Sequence, residues 1–369
     1  MCKVKVCHVT TVHKQNDSRI FHKECKSLAK YGFETVLLVV NGETAMIDGV
    51  QVISVNFESN GRINRIMKSG KAICLKAIEV NADIYHLHDP ELLLIASKLK
   101  KATNSKVVYD SHEDLPKQIL DKKWIPIVFR KLLSRIVHWY EMKKVRQLDG
   151  VISVTEKICE RFSQANEKVG FVANYPVLAE MSDLRKTNIE KKENVICYIG
   201  ALFETRGIKE LVQALEFCNA TLYLAGNFSS KEFEKEVKSL EGWKRVKFFG
   251  YVNREEIVGI LNSANVGIVT LHPTESYKES LPIKLFEYMS AKLPVIASNF
   301  EMWRPLVIGN NCGVMVDPMN LKEIGSQIDY FLENKDKAIE MGESGYRAVH
   351  EKYSWKSQEK KLIDFYQSL

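Results

Sequence analysis

Short apolar segments alternate along the whole chain with segments whose apolar positions recur at helical spacing. Strands that alternate with helices in this way pair in parallel, in sheets covered by helices. The pattern breaks near Asn174 and Pro176, ahead of the charged, loop-like segment 181–194, so two similar α/β halves are predicted. The predicted strands are KVKVCHVT, TVLLVV, VQVISV, ADIYHLH, KVVYDS and GVISVT in the first half, and NVICYIG, ATLYLAG, VKFFG, VGIVTL and PVIAS in the second; the predicted helices include RIFHKECKSLAKYG, KELVQALEF and REEIVGILNSA.

The length of 369 residues supports this division, because it exceeds the usual size of a single hydrophobic core. Hydrophobic residues make up 45% of the chain and charged residues 27%, as in an ordinary soluble globular protein. The chain contains no run of 18 apolar residues, and its start, MCKVKVCHVTTV, is typical of a first strand and not of a signal peptide. We therefore expect a cytoplasmic protein.

Eight cysteines are scattered along the chain without a C-x-x-C pair, and most lie in apolar segments. This usage predicts buried, reduced thiols and argues against both a disulfide framework and a zinc site. The segment YHLHDP places His86 and His88 at ligand-like spacing beside Asp89. We favour a loop at a strand end over a metal site for these residues, and no metal is expected.

Positive charge is concentrated in the first half of the chain. Residues 1–170 contain 28 Lys and Arg against 19 Asp and Glu, whereas residues 171–369 contain 25 against 27. Segment 117–146 has nine basic and two acidic residues, and it is predicted to be an amphipathic helix with a basic face. Such a helix can lie on an anionic membrane surface, or it can be an ordinary domain helix with a solvated basic face. Nucleic acid is not expected, because no aromatic stacking platform accompanies the charge.

The segment ESLPIKLFE places Glu279 and Glu287 eight positions apart across a predicted loop-to-helix junction. Pro282 suits the first turn of a helix and Ser280 is a plausible cap, so a helix is predicted from there through about Ala291. Backbone N–H groups at a helix start attract anions, and two nearby carboxylates suit the hydroxyls of a sugar and a ribose. In the alternative, the first acid favours the helix dipole and the second pairs with the lysine three positions before it.

The same segment, with YMSAKLPVIAS after it, resembles the motif of two glutamates in retaining glycosyltransferases of family 4 (glycosyl transferases group 1), whose fold is GT-B. Its form S-L-P-x-K-x-F-E-Y-M is similar to the branch that builds bacterial surface polysaccharides. The resemblance covers nearly the whole chain. It implies two Rossmann-like α/β domains with parallel sheets across a deep cleft, 1–175 for the acceptor and 176–353 for the nucleotide-sugar donor. The last helix, in 354–369, is expected to cross back onto the first domain.

The resemblance assigns Glu279 to the donor sugar and Glu287 to the ribose. Arg206 lies in a loop after the strand CYIG, where a guanidinium can clamp a diphosphate, although Ala201 replaces the arginine that family members carry after the first glycine. Gly250 resembles a turn whose backbone meets the nucleobase. On the residues alone, these would be a loop cation and an ordinary turn. The expected donor-binding residues are Arg206, Lys209, Gly250, Tyr251, Val252, Ser280, Leu281, Lys284 and Glu287.

In the first half, VVYDSHEDLP resembles the family's strand-end histidine, which assigns His112 a catalytic role together with Glu279. The segment HKQNDSRIFHKE resembles a variant of the family's acceptor loop, so Asp17, Arg19 and His22 are expected to bind the acceptor. On the residues alone, His112 is a candidate for a hydrogen-bonded structural residue, and Arg19 for a partner of Asp17.

The implied activity is transfer of a sugar from a nucleoside diphosphate sugar to a hydroxyl, with retention and without a metal or another cofactor. The expected acceptor is a lipid-linked glycan in capsule, exopolysaccharide or lipopolysaccharide assembly, at the inner face of the membrane. A nucleotide-sugar epimerase or phosphorylase and a non-catalytic sugar-nucleotide-binding subunit are the alternatives. The motifs G-x-G-x-x-G after a strand and G-x-x-x-x-G-K-[ST] are absent, which argues against an NAD-dependent oxidoreductase and a P-loop protein.

Overall fold

The structure is a computed structural model that describes residues 3–56, 62–122, 124–178 and 192–369. For residues 62–69 it describes the backbone alone. The chain divides into two compact units, Met1–Asn174 with Trp355–Leu369, and Tyr175–Ser354. The division falls where the sequence pattern breaks. Most of the predicted loop-like segment 181–194 lies outside the described residues.

The first unit is built on an eight-stranded sheet in the order β3-β4-β2-β1-β5-β6-β7-β8, in which only β3 runs antiparallel to its neighbour. Its strands are β1 Lys5–Val9, β2 Glu34–Val40, β3 Ala45–Ile47, β4 Val50–Val55, β5 Ile84–Leu87, β6 Lys106–Ser111, β7 Gly150–Ser153 and β8 Val169–Phe171. The helices before the second unit are α1 Lys26–Lys30, α2 Arg62–Val80, α3 Leu93–Thr103, α4 Leu115–Asp121, α5 Ile127–Val145 and α6 Glu156–Ser163, with a π-helix Ile20–Cys25 and a 3₁₀ turn Pro90–Leu92.

The second unit is built on a six-stranded, fully parallel sheet in the order β11-β10-β9-β12-β13-β14. Its strands are β9 Val195–Ile199, β10 Thr221–Ala225, β11 Val246–Gly250, β12 Val266–Val269, β13 Val295–Ser298 and β14 Gly313–Val316. Its helices are α7 Ile208–Ala214, α8 Lys231–Lys238, α9 Arg254–Ser263, α10 Ile283–Ser290, α11 Arg304–Val307, α12 Leu321–Glu333 and α13 Lys335–Glu351, with 3₁₀ turns Glu204–Arg206, Leu215–Phe217, Glu241–Arg245, Tyr277–Glu279 and Glu301–Trp303.

The last helix, α14 Trp355–Gln367, completes the first unit. A side chain added at Gly150 or at Gly170 would collide with the ring of Phe365, so both glycines leave room for that ring on β7 and β8. The side-chain oxygen of Gln358 accepts the backbone N–H of Ala173 at 3.0 Å. These contacts tie the carboxyl-terminal segment to the first sheet.

The prediction of parallel α/β structure is confirmed for both units, and each predicted strand is present. Parallel strands are covered on both faces, so strands such as β2 read as continuous apolar runs that are easily recognised. The seven described cysteines are unpaired and six of them are buried, whereas Cys2 lies outside the described residues. Within the described part of the chain, every helix lacks the combination of length and apolar character that is needed to cross a membrane.

Candidate functional site

Three glycines meet at the carboxyl ends of β9, β10 and β11 in the second unit. The N–H of Gly226 donates to the carbonyl of Gly250 at 2.7 Å, and a side chain at Gly226 would collide with the carbonyl oxygen of Gly200. All three have positive φ, at 135°, 139° and 67° in chain order, which favours glycine. The result is an edge of closely packed backbone. We call residues 200–207, 250–252 and 279–287 around this edge the donor edge.

The loop after β9 holds Arg206 in a defined position on the donor edge. Gly207 approaches β12 so closely that a side chain would collide with the carbonyl oxygen of Thr270, and the N–H of His272 donates to the carbonyl of Thr205 at 2.9 Å. The Arg206 guanidinium lies 5.2 Å from the ring centre of Tyr277. Among the described residues, its buried Nε atom has no hydrogen-bond partner. A buried N–H without a partner is unfavourable, so this geometry favours an acceptor supplied by a ligand.

The start of helix α10 differs from the prediction. The Ser280 hydroxyl donates to the carbonyl of Tyr277 at 3.2 Å, and the Ser280 carbonyl accepts the indole N–H of Trp303 at 2.6 Å. The helix begins after Pro282 without a side-chain cap. The prediction that Ser280 caps the helix is therefore wrong, because its hydroxyl is turned back into the preceding turn. Glu279 is the last residue of that turn.

Lys284 and Glu287 lie on the first turns of α10. The Lys284 ammonium lies 5.2 Å from the ring centre of Tyr198, and a side chain at Gly200 would collide with it. Burial and the neighbouring Arg206 lower the pKa of Lys284 to about 8, against the opposing effect of Glu287. Glu287 forms an ion pair with Arg254 at 3.6 Å. The alternative pairing of Glu287 with Lys284 is therefore not the arrangement found.

The remaining predicted donor residues occupy different environments. Lys209 is half-buried on α7 and forms an ion pair with Glu236. Tyr251 is 79% exposed and Val252 is buried, both directly after β11. Leu281 is half-buried before α10. Four further residues, which no sequence motif indicated, contact residues of the donor edge. They are Tyr198, Arg254, Tyr277 and Trp303.

Buried ionisable side chains cluster at the carboxyl ends of β1, β5 and β6 in the first unit. The register of β1 and β5 places His8 beside His86, and His88 follows β5 directly. Asp110 lies in β6 with His112 just after it. We call the whole group the histidine cluster; its members are His8, Arg19, Glu24, His86, His88, Asp110, His112 and Tyr366.

Arg19 is a buried member of this cluster, with 2% of its surface exposed. Its guanidinium donates to both carboxylate oxygens of Asp110 at 3.0 Å and to the carbonyl of Val172 at 3.0 Å. Its predicted role in acceptor binding remains a prediction. The Arg19 side chain does not pair with Asp17, which instead accepts backbone N–H groups, among them that of Arg19, and pairs with His13 at 3.1 Å. His22 is exposed on the π-helix.

His112 forms the accessible end of the cluster. Its Nε2 atom lies 3.0 Å from Asp110 and 3.2 Å from Nδ1 of His88, and 18% of its side chain is exposed. Burial alone would raise the pKa of Asp110, but Arg19 and His112 hold that pKa well below its usual range. Burial lowers the pKa of His88 to about 4. An ionised carboxylate thus orients His112, whose predicted catalytic role remains a prediction.

Helix α5 exposes an unusual amount of apolar surface. Ser134 donates to the carbonyl of Pro116 at 2.8 Å, and the buried residues lie at the carboxyl end of the helix. Lys131 and Arg135 are exposed, as predicted for a basic face; Lys123 lies outside the described residues. The exposed basic residues agree with both predicted alternatives, a helix at a membrane surface and an ordinary domain helix with a solvated basic face. The exposed apolar residues of α5 are Ile127, Val128, Phe129, Leu132, Leu133, Ile136 and Trp139, and Trp124 just before the helix is also exposed.

The two units match two known families of domains. Residues 18–174 match Glycosyltransferase Family 4, and residues 181–348 match Glycosyl transferases group 1. The model superimposes on the sucrose-phosphate synthase from Thermosynechococcus elongatus with a TM-score of 0.81 and 17% identity over 99% of both chains. It also superimposes on Anabaena HepE in complex with UDP and glucose, with a TM-score of 0.75 and 15% identity over 99% of this chain and 100% of the other. The chain therefore carries family 4-like and group 1 glycosyltransferase domains in the GT-B fold.

Curated relatives agree with this class. An uncharacterized glycosyltransferase of Methanocaldococcus jannaschii is 25% identical over 252 residues, 63% of each chain. The lipopolysaccharide glucosyltransferase WaaG of Escherichia coli is 24% identical over 147 residues, 38% of this chain and 37% of the relative. The alignments thus span less than two thirds of these relatives. Both relatives carry the name of a glycosyltransferase.

Proposed function

We propose that this protein is a retaining glycosyltransferase that moves a sugar from a nucleoside diphosphate sugar to a hydroxyl of a glycan acceptor. The proposal rests on the composition of the donor edge. The cationic side chains of Arg206 and Lys284 lie on this edge together with the carboxylate of Glu287. A diphosphate needs charge-assisted donors of this kind, and the carboxylate suits hydroxyl groups.

Each part of the donor has a proposed partner on this edge. Arg206, Lys284, the backbone N–H of Leu281 and the N–H groups at the start of α10 would receive the diphosphate, and would supply the positive charge without a metal at this position. Glu287 would accept the ribose hydroxyls. Glu279 would accept hydroxyls of the donor sugar, and the backbone of 250–252 would meet the base. Solved complexes of HepE contain UDP and UDP-glucose, which makes uridine nucleotides the first class to test.

The proposed reaction breaks the bond between the anomeric carbon and the diphosphate oxygen. A bond forms from the acceptor hydroxyl oxygen to the same face of that carbon, and the hydroxyl proton passes to the departing phosphate oxygen. Negative charge grows on the leaving group during this step, so fixed cations stabilise the transition state more than the ground state. In this scheme His112, oriented by Asp110, contacts the donor sugar.

The first experiment is a donor panel on the full chain. UDP-, GDP- and dTDP-sugars are added without Mg²⁺ or Mn²⁺, and thermal shift and slow donor hydrolysis are measured. We expect one nucleotide class to stabilise the protein and to be hydrolysed, with both effects lost in Glu287→Ala. The control is Glu301→Ala, which removes a carboxylate from a side chain that is 92% exposed. Binding without turnover, with or without acceptors, would favour a non-catalytic subunit, and a changed sugar without an acceptor would favour an epimerase.

We further propose that α5 holds the protein at an anionic membrane surface, where a lipid-linked acceptor is available. The support is the apolar surface of α5 beside Lys131 and Arg135, since amphipathic helices with basic faces bind such interfaces. The names of two relatives, the lipopolysaccharide glucosyltransferase WaaG and the capsular polysaccharide biosynthesis glycosyltransferase CapM, favour a surface-polysaccharide acceptor and a cytoplasmic, peripheral location.

Vesicle flotation tests the membrane proposal. The full chain is expected to float with vesicles that contain phosphatidylglycerol and to remain behind with pure phosphatidylcholine. Changing Phe129, Leu132 and Trp139 to Ser should abolish flotation, because these side chains supply apolar contact. Lys131→Gln should weaken it about fivefold, from about 1 kcal/mol per basic side chain. Equal flotation of the wild type and the triple variant would overturn the proposal.

A further inference from the structure

We infer that the histidine cluster contains a buried site for a divalent transition-metal ion, formed by His8, Glu24, His86 and His88. All four side chains lie in the first unit, and each is at most 3% exposed. Their ligand-type atoms lie within 4.8 Å of one another. This site is separate from the donor edge, so the inference does not rest on the proposed function.

The distances between the ligand atoms suit one ion. Oε2 of Glu24 lies 3.8 Å from Nδ1 of His8 and 3.9 Å from Nε2 of His88, and these two nitrogens are hydrogen-bonded to each other at 2.8 Å, a bond that the ion would replace. Ligands about 2.0–2.2 Å from a tetrahedral zinc lie roughly 3.3–3.6 Å from one another. Shifts of a few tenths of an ångström would therefore bring these atoms to bonding positions.

The other nitrogen of each histidine faces an outer partner. Nδ1 of His86 is hydrogen-bonded to the Tyr366 hydroxyl, and Nε2 of His8 lies 3.4 Å from the same oxygen. Nδ1 of His88 lies 3.5 Å from the carboxylate of Asp110. Metal-binding histidines almost always have such an outer hydrogen bond, which fixes the tautomer and turns the free nitrogen toward the ion.

Three atoms of the four proposed ligand side chains lack a hydrogen bond. Among the described residues, both carboxyl oxygens of Glu24 and Nε2 of His86 are buried without a hydrogen bond. Nε of Arg19 comes within 3.0 Å of Glu24, but that N–H is directed at Asp110. Buried polar atoms without partners are rare and unfavourable, and a bound ion would satisfy all three.

The ligand types favour zinc. Imidazole nitrogens and one carboxylate are normal zinc ligands, and a set of four protein ligands leaves no position for a substrate. The ion would therefore hold the ends of β1 and β5 and fix His88, which lies 3.2 Å from His112. The proposed ion differs from the expectation that no metal binds. Asp89, which follows His88 in the sequence, is not among the proposed ligands, because it accepts hydrogen bonds from Thr10 and Thr11.

Metal analysis of the full chain tests the inference. Protein produced with zinc in the medium should contain about one zinc per chain after removal of loose metal, and Glu24→Gln should contain less than a tenth of that amount. The control is His350→Ala, which removes an exposed histidine of α13 and should retain the full content. Tyr366→Phe, which keeps all four ligands, should weaken zinc binding about 10–100-fold.

Two measurements on the wild type make the test independent of whether a variant folds. Protein prepared with cobalt should show the visible absorption of four-coordinate Co²⁺, and metal-depleted protein should gain thermal stability when zinc is restored. Wild-type protein that contains no stoichiometric metal, and whose stability does not respond to zinc or cobalt, would overturn the inference.

Discussion

Both units have charged residues at the carboxyl ends of parallel strands, but these residues differ in whether their hydrogen-bonding groups are paired. In the second unit Arg206 and Lys284 lie at the donor edge, and the Nε of the arginine has no partner among the described residues. In the first unit Arg19 and Asp110 are buried and bound to each other. Charges with unused hydrogen-bonding capacity can receive a ligand, whereas charges that satisfy each other hold a neighbouring group in place. This difference distinguishes the proposed binding edge of the second unit from the paired charges of the first unit.

The largest expected effect is on stability in the first unit. Arg19→Met leaves Asp110 buried without its main partner, and we expect a loss of about 3–5 kcal/mol in the free energy of unfolding. Urea denaturation measures it. The matched control is Lys5→Met, which breaks the more exposed pair with Glu34 at 2.9 Å and should lose at most about 1 kcal/mol. Similar losses in both variants would contradict the distinction between the buried pair and the exposed one.

The next effect concerns catalysis by His112. His112→Ala should lower kcat about 100–1,000-fold, the usual result of removing one fixed group that stabilises the transition state. The KM for the donor should change little, because the nucleotide is held at the donor edge. Steady-state rates with the donor found by the panel measure both constants, and His350→Ala is the control. If kcat falls less than tenfold, the role of His112 is structural and not catalytic.

A smaller effect is expected on nucleotide affinity, to which two cations of the second unit should contribute differently. Arg206→Ala should weaken binding of the nucleoside diphosphate about 10–150-fold, since a hydrogen bond to a charged group contributes about 1.5–3 kcal/mol. Lys209→Ala should weaken it less than about fivefold, because the Lys209 ammonium is already paired with Glu236. Calorimetric titration of both variants gives the comparison. An equal or larger effect at Lys209 would show that the donor diphosphate lies elsewhere.

The smallest effect is a dependence on pH. Lys284 is protonated below its pKa of about 8 and loses its charge as the pH rises through that value. Affinity for the diphosphate should therefore fall by up to about tenfold per pH unit above about 8. In Lys284→Arg this decline should disappear, because a guanidinium stays charged. Binding measured between pH 7 and 9.5 tests the sign, and an identical decline in the arginine variant would exclude Lys284 as its source.

The fold could be predicted because its strands are continuous apolar runs separated by turns and helices. The strands that were not predicted are β3, β8 and β14, which have three or four residues and are only partly buried. The prediction of a helix at Glu287 is confirmed, but the predicted cap at Ser280 is wrong, because the helix begins after Pro282 without a side-chain cap. A sequence offers Ser280 as a cap, and only the three-dimensional turn shows that its hydroxyl bonds to Tyr277. Short-range patterns thus predicted elements better than their ends.

The histidine cluster was missed because it depends on long-range pairing. His8 lies beside His86 only through the register of β1 and β5, and Tyr366 comes from a helix 280 residues further along the chain. Glu24 belongs to a π-helix whose spacing differs from the helical spacing assumed for that segment. One signal was available, because His8 and His88 both lie at or near strand ends that a parallel sheet brings to the same edge.

Hydrogen–deuterium exchange of the full chain, with and without the nucleoside diphosphate selected by the panel, tests whether the donor edge binds the nucleotide. We expect the nucleotide to protect backbone amides in 200–207, 250–252 and 279–287, and Glu287→Ala to lose this protection at the same nucleotide concentration. Protection confined to other parts of the chain, with these three segments unchanged, would contradict the assignment of the donor edge.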